Sequence, residues 1–338
     1  MTARPITIWA VSDGRPGTQN QALGLAEAVA RIVPATVSTR VIRYKAVFGR
    51  LPSVLKVWPD AMLAADSDPV TPIGDEAWPD IWIAAGRATL PHSVRVRQRS
   101  GGHTQVVQLQ DPKWDVNAFD LVIAPEHDYV RGENVLSLIG STNRISAEGL
   151  KRDYAAWHDR IDGLPHPRVA VLIGGRSKAF DLDADRAQII ATEIRSAVEH
   201  AGGSLLLTVS GRTPKAARAV LIAALRDVVG IVWDGKGDNP YFAFLHAADR
   251  FLVTEDSVNM ATEAAATGKP VQIIGLERRS MSSGQKFDDF HEVLRARGVS
   301  HPFDGALRGE PYAPLCETER AAQAVVDLWR GRQKSGEG

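Results

Sequence analysis

The chain has 338 residues, 44% hydrophobic and 24% charged, an ordinary globular composition with length enough for two domains. Forty basic residues balance forty acidic ones, so bulk charge gives no reason to expect nucleic acid. The single cysteine, Cys316, excludes an internal disulfide and a cysteine-built zinc site and favours a reducing compartment. No run approaches the ~18 apolar residues of a membrane span. The nine histidines are scattered without metal-ligand spacing, so neither metal nor cofactor is expected. The opening MTARPITIWAVSDG runs straight into a strand and does not read as a signal peptide.

Strand-length apolar runs alternate with helical patterns, which predicts a parallel α/β architecture. In the first half the runs fall at 6–11, 37–42, 81–85, 105–109 and 121–124. A polar, proline-punctuated segment follows, and Leu164-Pro165-His166-Pro167 reads as a linker. The pattern restarts at 168–173, 204–209, 231–233, 251–253 and 271–274. A last helix over 318–329 shows its apolar spacing at Ala321, Val325, Val326 and Leu328, and the tail from 331 is expected to be disordered. The expected division is 1–163, 164–316 and 317–338, with the last helix packing back on the first domain. Each half opens with a strand feeding a glycine loop. Two such domains facing each other would place their strand ends at one cleft.

The richest segment is RFLVTEDSVNMATEAAATGKPVQIIG, from Arg250 to Gly275. It reads as strand, polar turn, helix and strand, with Glu255, Asp256, Ser257 and Asn259 in the turn and helix start. The open N-terminus of a helix suits a phosphate. Glu263, further along the helix, could reach a ribose hydroxyl. The plainer alternative is a βαβ unit whose Ser and Asn only cap the helix.

Ser12, Asp13, Gly14, Gly17, Gln19 and Asn20 form a second polar cluster at a strand end. Asp13 is a candidate acid or base, the glycines give clearance, and Gln19 and Asn20 could read hydroxyls. No Gly-Lys-Ser/Thr follows, so this is not a Walker loop. Glu126, His127 and Asp128 follow the run 121–124 and offer a carboxylate and an imidazole for general-base work. Arg176 and Ser177 after a diglycine, and Arg212 and Thr213 after 204–209, could meet a leaving diphosphate in place of a metal. Asn239 opens a helix beside Tyr241 and Phe242. The stretch 44–58 mixes Lys45, Arg50 and Lys56 with Phe48, Leu51, Leu55 and Trp58. It reads either as a membrane-surface segment or as a core-packing helix with snorkelling cations. Arg95, Arg97 and Arg99 form another basic cluster with the same two readings.

Taken together, SDGRPGTQNQALGLAEAV (12–29), APEHD (124–128), LIGG (172–175), SGRTP (210–214), the run 238–271 and FDDFH (287–291) resemble the family of the plant elongated-mitochondria fission protein. The resemblance covers nearly the whole chain in motif order. It implies two facing Rossmann-like domains, the GT-B arrangement of many glycosyltransferases. The second half also resembles, more distantly, the donor-sugar domains of lipid A disaccharide synthase and the lipid II-forming N-acetylglucosaminyltransferase. That resemblance implies Ser257 and Asn259 near a diphosphate, Glu263 at a ribose, and Gly174 and Gly175 giving the donor close access.

The expected function is a metal-independent, inverting glycosyltransferase, with a nucleotide-sugar donor and an envelope glycolipid or glycan acceptor. Its candidate catalytic groups are Asp13, Glu126 and His127. The expected location is cytoplasmic, peripheral on the inner membrane face if the acceptor is a lipid. Two other readings stay open: an NDP-sugar 2-epimerase, and a non-catalytic adaptor that retains the fold.

Overall fold

The computed structural model describes residues 4–279 and 281–336. The chain divides into two compact units, Met1–Arg144 with Cys316–Gly338, and Ile145–Leu315. In chain order the helices are α1 (Pro16–Ile32), α2 (Ala46–Gly49), α3 (Leu90–Arg99), α4 (Ala147–Tyr154), α5 (His158–Ile161), α6 (Ala184–His200), α7 (Lys215–Leu225), α8 (Tyr241–Ala247), α9 (Val258–Ala265), α10 (Met281–Ala296) and α11 (Glu317–Gly336).

The first unit is built on six parallel strands, β1 (Ile6–Ser12), β2 (Ala35–Val41), β3 (Ile81–Ala85), β4 (Gln105–Leu109), β5 (Leu121–Pro125) and β6 (Val135–Leu138). Their spatial order is β2-β1-β3-β4-β5-β6. Every residue of β3 and β4 is buried, as expected of parallel strands covered on both faces. The period of two sorts side chains cleanly. Ile8, Ala10, Ile81, Ile83, Val107 and Ile123 join Leu25 and Val29 of α1 and Ala322, Val325 and Val326 of α11. Trp9, Val11, Trp82, Ala84, Val106 and Val122 form the opposite core with Leu90 and Val96 of α3. Helix α11 thus completes the first unit's core. Its start is fixed by Glu317, which accepts from the Ile139 N–H at 2.7 Å, and by Thr318, whose hydroxyl accepts from the Asn143 N–H at 3.0 Å.

The second unit repeats the plan with β7 (Arg168–Ile173), β8 (Phe180–Asp181), β9 (Ser204–Val209), β10 (Gly230–Val232), β11 (Arg250–Thr254), β12 (Val271–Ile274), β13 (Glu277–Arg278) and β14 (Ser300–Pro302). Six of them form a parallel sheet in the order β10-β9-β7-β11-β12-β14, while β8 and β13 make a small antiparallel ribbon. Val169, Val171, Leu205 and Leu207 pack against Ile190 and Ile194 of α6 and Leu221 of α7. In each sheet the strand order reverses once, beside β1 in the first unit and beside β7 in the second. Such reversals open a crevice at the strand C-termini.

Four sequence expectations need correction. The passage between units falls at Arg144–Ile145, not at the expected 163–164 boundary, because 145–163 carries α4 and α5, and Tyr154 of α4 and Trp157, just before α5, meet His246 and Phe244 of α8. The polar segment after 124 contains an element that the expected apolar runs leave out. It holds β6, a short edge strand with one fully buried residue. The tail is not disordered from 331, since α11 runs to Gly336 and Arg332 donates to the Gly102 carbonyl. The stretch 44–58 is not one core helix. It is the single turn of α2 and a 3-10 turn, Ser53–Leu55, neither with a buried residue.

Candidate functional site

At the crevice of the second unit, β7 is followed by Gly174 and Gly175, and β11 ends at Thr254 and is followed by Glu255 and Asp256. The Asp256 side chain is wholly shielded. Its carboxylate accepts from the Gly175 N–H at 3.0 Å and from the Thr254 hydroxyl at 2.7 Å, and Arg212 Nη1 lies 2.8 Å away. Burial pushes its pKa above the ordinary carboxylate value, against the opposing pull of Arg212, Thr254 and Gly175. The Gly174 N–H donates to the Thr254 hydroxyl at 2.7 Å, and the Gly174 carbonyl accepts from Thr213 and Ser210 at 2.5 and 3.0 Å. A Cβ on Gly174 would stand 2.2 Å from an Asp256 oxygen, and one on Gly175 would stand 2.5 Å from the Arg212 carbonyl. The structure therefore explains this glycine pair by approach of the protein's own groups, where sequence had suggested approach of a donor.

Gly174, Gly175, Arg212, Thr213 and Asp256 form one bonded cluster. Asp256 is its buried anchor and Arg212 its exposed member. Ser257 caps α9, its hydroxyl accepting from the Met260 N–H at 3.4 Å. Asn259 lies half-buried in the first turn of that helix. Glu255 turns away from this cluster: its carboxylate accepts from the Leu276 N–H, and its carbonyl accepts from His291 Nε2 at 2.9 Å. Arg176 also lies apart, in a two-bond pair with Asp181 at 2.9 Å. Ser177 accepts from the Ala179 and Phe180 N–H groups in its own turn. Asn239 folds back to accept from the Tyr241 N–H at 3.1 Å in an exposed turn.

Glu263 is buried, and the Tyr241 hydroxyl donates to it. Burial raises its carboxyl to about 7, opposed by the Tyr241 bond. A ribose hydroxyl would therefore have to replace Tyr241. Near the sheet edge, 231–234, 236–238 and the turn at Ala156, Trp157 and Arg160 line a groove of about 340 Å³.

In the first unit, Asp13 follows β1 at the strand-order reversal. Its carboxylate accepts from the Thr18 hydroxyl and the Arg15 N–H at 2.5 and 3.2 Å. Gly86, at the end of neighbouring β3, has φ +91°, and a Cβ there would meet Thr18 at 3.2 Å and Asp13 at 3.5 Å. The buried Ser12 hydroxyl accepts from the Gly14 N–H at 3.2 Å. Gly17, Gln19 and Asn20 lie in the first turns of α1, half-buried. Glu126, His127 and Asp128 form a 3-10 turn directly after β5, in which His127 is buried and Glu126 exposed.

Sequence reading overlooked a third polar group in this unit. Gln110 follows β4 at φ +66°, and its amide donates to Gln21 at 3.0 Å. The Gln21 carbonyl accepts from the Thr142 hydroxyl at 3.0 Å. Non-glycine residues at positive φ are uncommon and costly. The signal was Gly140-Ser141-Thr142-Asn143, a polar cluster closing a short apolar run.

A family model for mitochondrial fission ELM1 matches residues 16–329. The chain belongs to the mitochondrial fission ELM1 family. It is 31% identical over 274 residues to mitochondrial fission protein ELM1 of Arabidopsis thaliana, spanning 73% of this chain and 63% of that protein. It is 24% identical to an uncharacterised protein of Rickettsia prowazekii, over 95% of this chain and 98% of the other. Among solved structures, UDP-GlcNAc 2-epimerase of Neisseria meningitidis bound to UDP-GlcNAc aligns over 95% of this chain and 99% of its own, with TM-score 0.51 and 14% identity. The fold of this member of the family is thus the two-Rossmann α/β architecture shared by GT-B glycosyltransferases and such epimerases.

Proposed function

We propose that this member of the ELM1 family is a nucleotide-sugar-dependent glycosyltransferase, with its donor held by the second unit. The observation that carries this reading is the Gly174–Thr254–Asp256–Arg212 cluster beside the N-terminus of α9. A buried carboxylate there fixes one edge of a guanidinium whose side chain is 45% exposed. The first turn of α9 adds backbone N–H groups without intrahelical acceptors. Together they suit the charge that develops on a departing diphosphate, and they supply it without reorganisation. Ser257 and Asn259 belong to that diphosphate site in this reading, and Glu263, released from Tyr241, takes the ribose.

The acceptor in this reading is an envelope glycolipid or glycan, and the protein is peripheral at the membrane face. No helix among the described residues is long and apolar enough to cross a membrane. The base that deprotonates the acceptor hydroxyl comes from Asp13 or from the Glu126–His127 turn. A 2-epimerase is the second reading, supported by the fold likeness to the Neisseria protein.

Thermal melting with UDP, GDP, CDP and dTDP tests the donor site. A ligand at a hundred times its dissociation constant stabilises by roughly 2.7 kcal/mol. We expect a shift with at least one of the four that is lost in Arg212→Met. No shift with any of them at millimolar concentration rejects the reading and leaves the adaptor alternative. Release of a free epimerised nucleotide sugar without an acceptor favours the epimerase.

A further inference from the structure

The segment 45–58 of the first unit departs from the rule that large apolar side chains gather inward. Val47 is 81% exposed and Trp58 74%, with Val54, Leu55 and Val57 each half exposed or more. Isolated exposed apolar residues are normal, but five within a dozen positions make a patch. The patch does not result from a loose loop. Lys45 donates its N–H to the Met62 carbonyl at 3.0 Å, and Phe48 and Gly49 return theirs to the Lys45 carbonyl at 2.8 and 3.0 Å. Ser53 Oγ donates to the Arg87 carbonyl at 2.9 Å, and Arg95 donates to the Lys56 and Val57 carbonyls.

The interior of the loop is filled by a cation. Lys56 is only 4% exposed, donates to the Leu51 carbonyl, and sits 4.8 Å over the Tyr44 ring. With the inner place taken, the apolar neighbours point out. The sequence expectation that Lys56 contacts a surface is therefore corrected: it scaffolds the loop that displays the others.

Charge identifies the occupant. From Arg43 to Trp58 there are four basic residues and no acidic one. The nearest carboxylates are already engaged, Asp60 with His92 and Arg99 at 3.1 and 2.5 Å, and Asp66 with Arg43 at 3.7 Å. Lys45 and Arg50 are exposed beside the apolar side chains, Lys45 Nζ donating one of its three hydrogens to the Ala61 carbonyl at 3.0 Å. A two-fold contact with a second copy would bring these like charges to a shared interface. A layer of anionic headgroups over hydrocarbon complements both features, with an indole at the headgroup level.

We propose that 45–58 is a membrane-contact surface that seats on an anionic bilayer, inserting Val47, Val54, Leu55, Val57 and Trp58 while Lys45 and Arg50 meet lipid phosphates. The inference shares the peripheral location of the proposed function, yet it rests on this loop's geometry and not on the donor site.

The test is flotation of the full chain with phosphatidylcholine vesicles, with and without phosphatidylglycerol. We expect binding only with the anionic lipid, weakening as salt rises. Lys45→Glu with Arg50→Glu should lower the partition constant by more than tenfold, since each lost cation is worth roughly fivefold. Leu55→Ser with Trp58→Ser should do likewise. Trp58→Phe should keep binding while losing most quenching of tryptophan fluorescence by brominated lipid. All variants replace exposed groups, so melting temperature and any nucleotide-induced shift should stay near wild type. That separates failure here from failure of the donor site. Equal binding to neutral vesicles, no binding, or binding unchanged in both double variants overturns the proposal. So does a vesicle-independent dimer that requires Trp58.

Discussion

Arg212 Nη1 lies 2.8 Å from Asp256 Oδ2, joining a half-exposed guanidinium to a fully shielded carboxylate. The two residues serve different ends of one device. Asp256 stays inside because three donors hold it, and Arg212 stays at the strand ends because Asp256 holds it.

The first prediction separates these roles by stability. Asp256→Asn substitutes an NH2 for one accepting oxygen, where Thr254 and Gly175 both donate inward. A buried donor then meets a donor, at a cost of about 1–3 kcal/mol. Arg212→Met leaves those two bonds intact, and the carboxyl, which burial already pushes upward, takes up a proton once its cation is gone, so the loss should be smaller. Urea denaturation of both variants checks the order, and a larger loss in Arg212→Met would contradict it.

The second concerns pH. Glu263 is raised from 4.5 to about 7 by burial. Its folded form holds a proton more tightly than its unfolded form. Its contribution is thus fully present below pH 4.5 and is lost as pH rises through about 7. The span corresponds to about 3 kcal/mol at the outside. Glu263→Gln should remove that slope, read as the difference in unfolding free energy between wild type and variant at pH 4.5 and 7.5. Parallel pH profiles for the two proteins would show that Glu263 does not titrate there.

A third prediction reverses the usual sign of a helix substitution. Gly→Ala inside a helix ordinarily stabilises by about 1 kcal/mol. Gly24 lies in α1, and a Cβ there would stand 2.2 Å from the Asn143 carbonyl oxygen. Backbone cannot swing aside as a flexible side chain can. Gly24→Ala should therefore destabilise by about 1–3 kcal/mol, measured by thermal unfolding. A rise in melting temperature would mean that the 143–144 segment yields freely.

The fourth tests chemistry under the proposed function. Loss of a general base typically costs about 10² to 10⁴ in rate. At least one of Asp13→Asn, Glu126→Gln or His127→Ala should lower turnover while nucleotide affinity stays near wild type. Full turnover in all three would remove the first-unit base from the reading.

Much of the architecture was legible because parallel strands buried on both faces read as continuous apolar runs. The strands at 81–85, 105–109, 168–173 and 204–209 matched for that reason. Elements with a partial face escaped: β6 has one buried residue, and β14 is Ser-His-Pro. The polar turn 254–257 stood out as a cluster, yet its internal division did not. Sequence spacing cannot tell that Asp256 points inward while Glu255 reaches Leu276, because each direction is set by strands distant in the chain. Lys56 shows the same limit. A lysine between apolar neighbours reads as snorkelling, and only the Tyr44 ring and the Leu51 carbonyl reveal it as the loop's interior.

Helix α11 closes the first unit's core with residues that lie after the whole of the second unit in the chain. This order has a consequence for synthesis. The second unit leaves the ribosome with all its strands and covering helices and can fold at once. The first unit, though begun earlier, has α1 over β1 and β3 but must wait with the part of that face beside α1, toward β4 and β6, uncovered until the last helix emerges. During that interval it presents unprotected apolar surface, the kind that chaperones engage and that drives aggregation. Slowing or stalling translation between 145 and 316 would prolong this exposure, so yield should respond to synthesis rate more than final stability suggests.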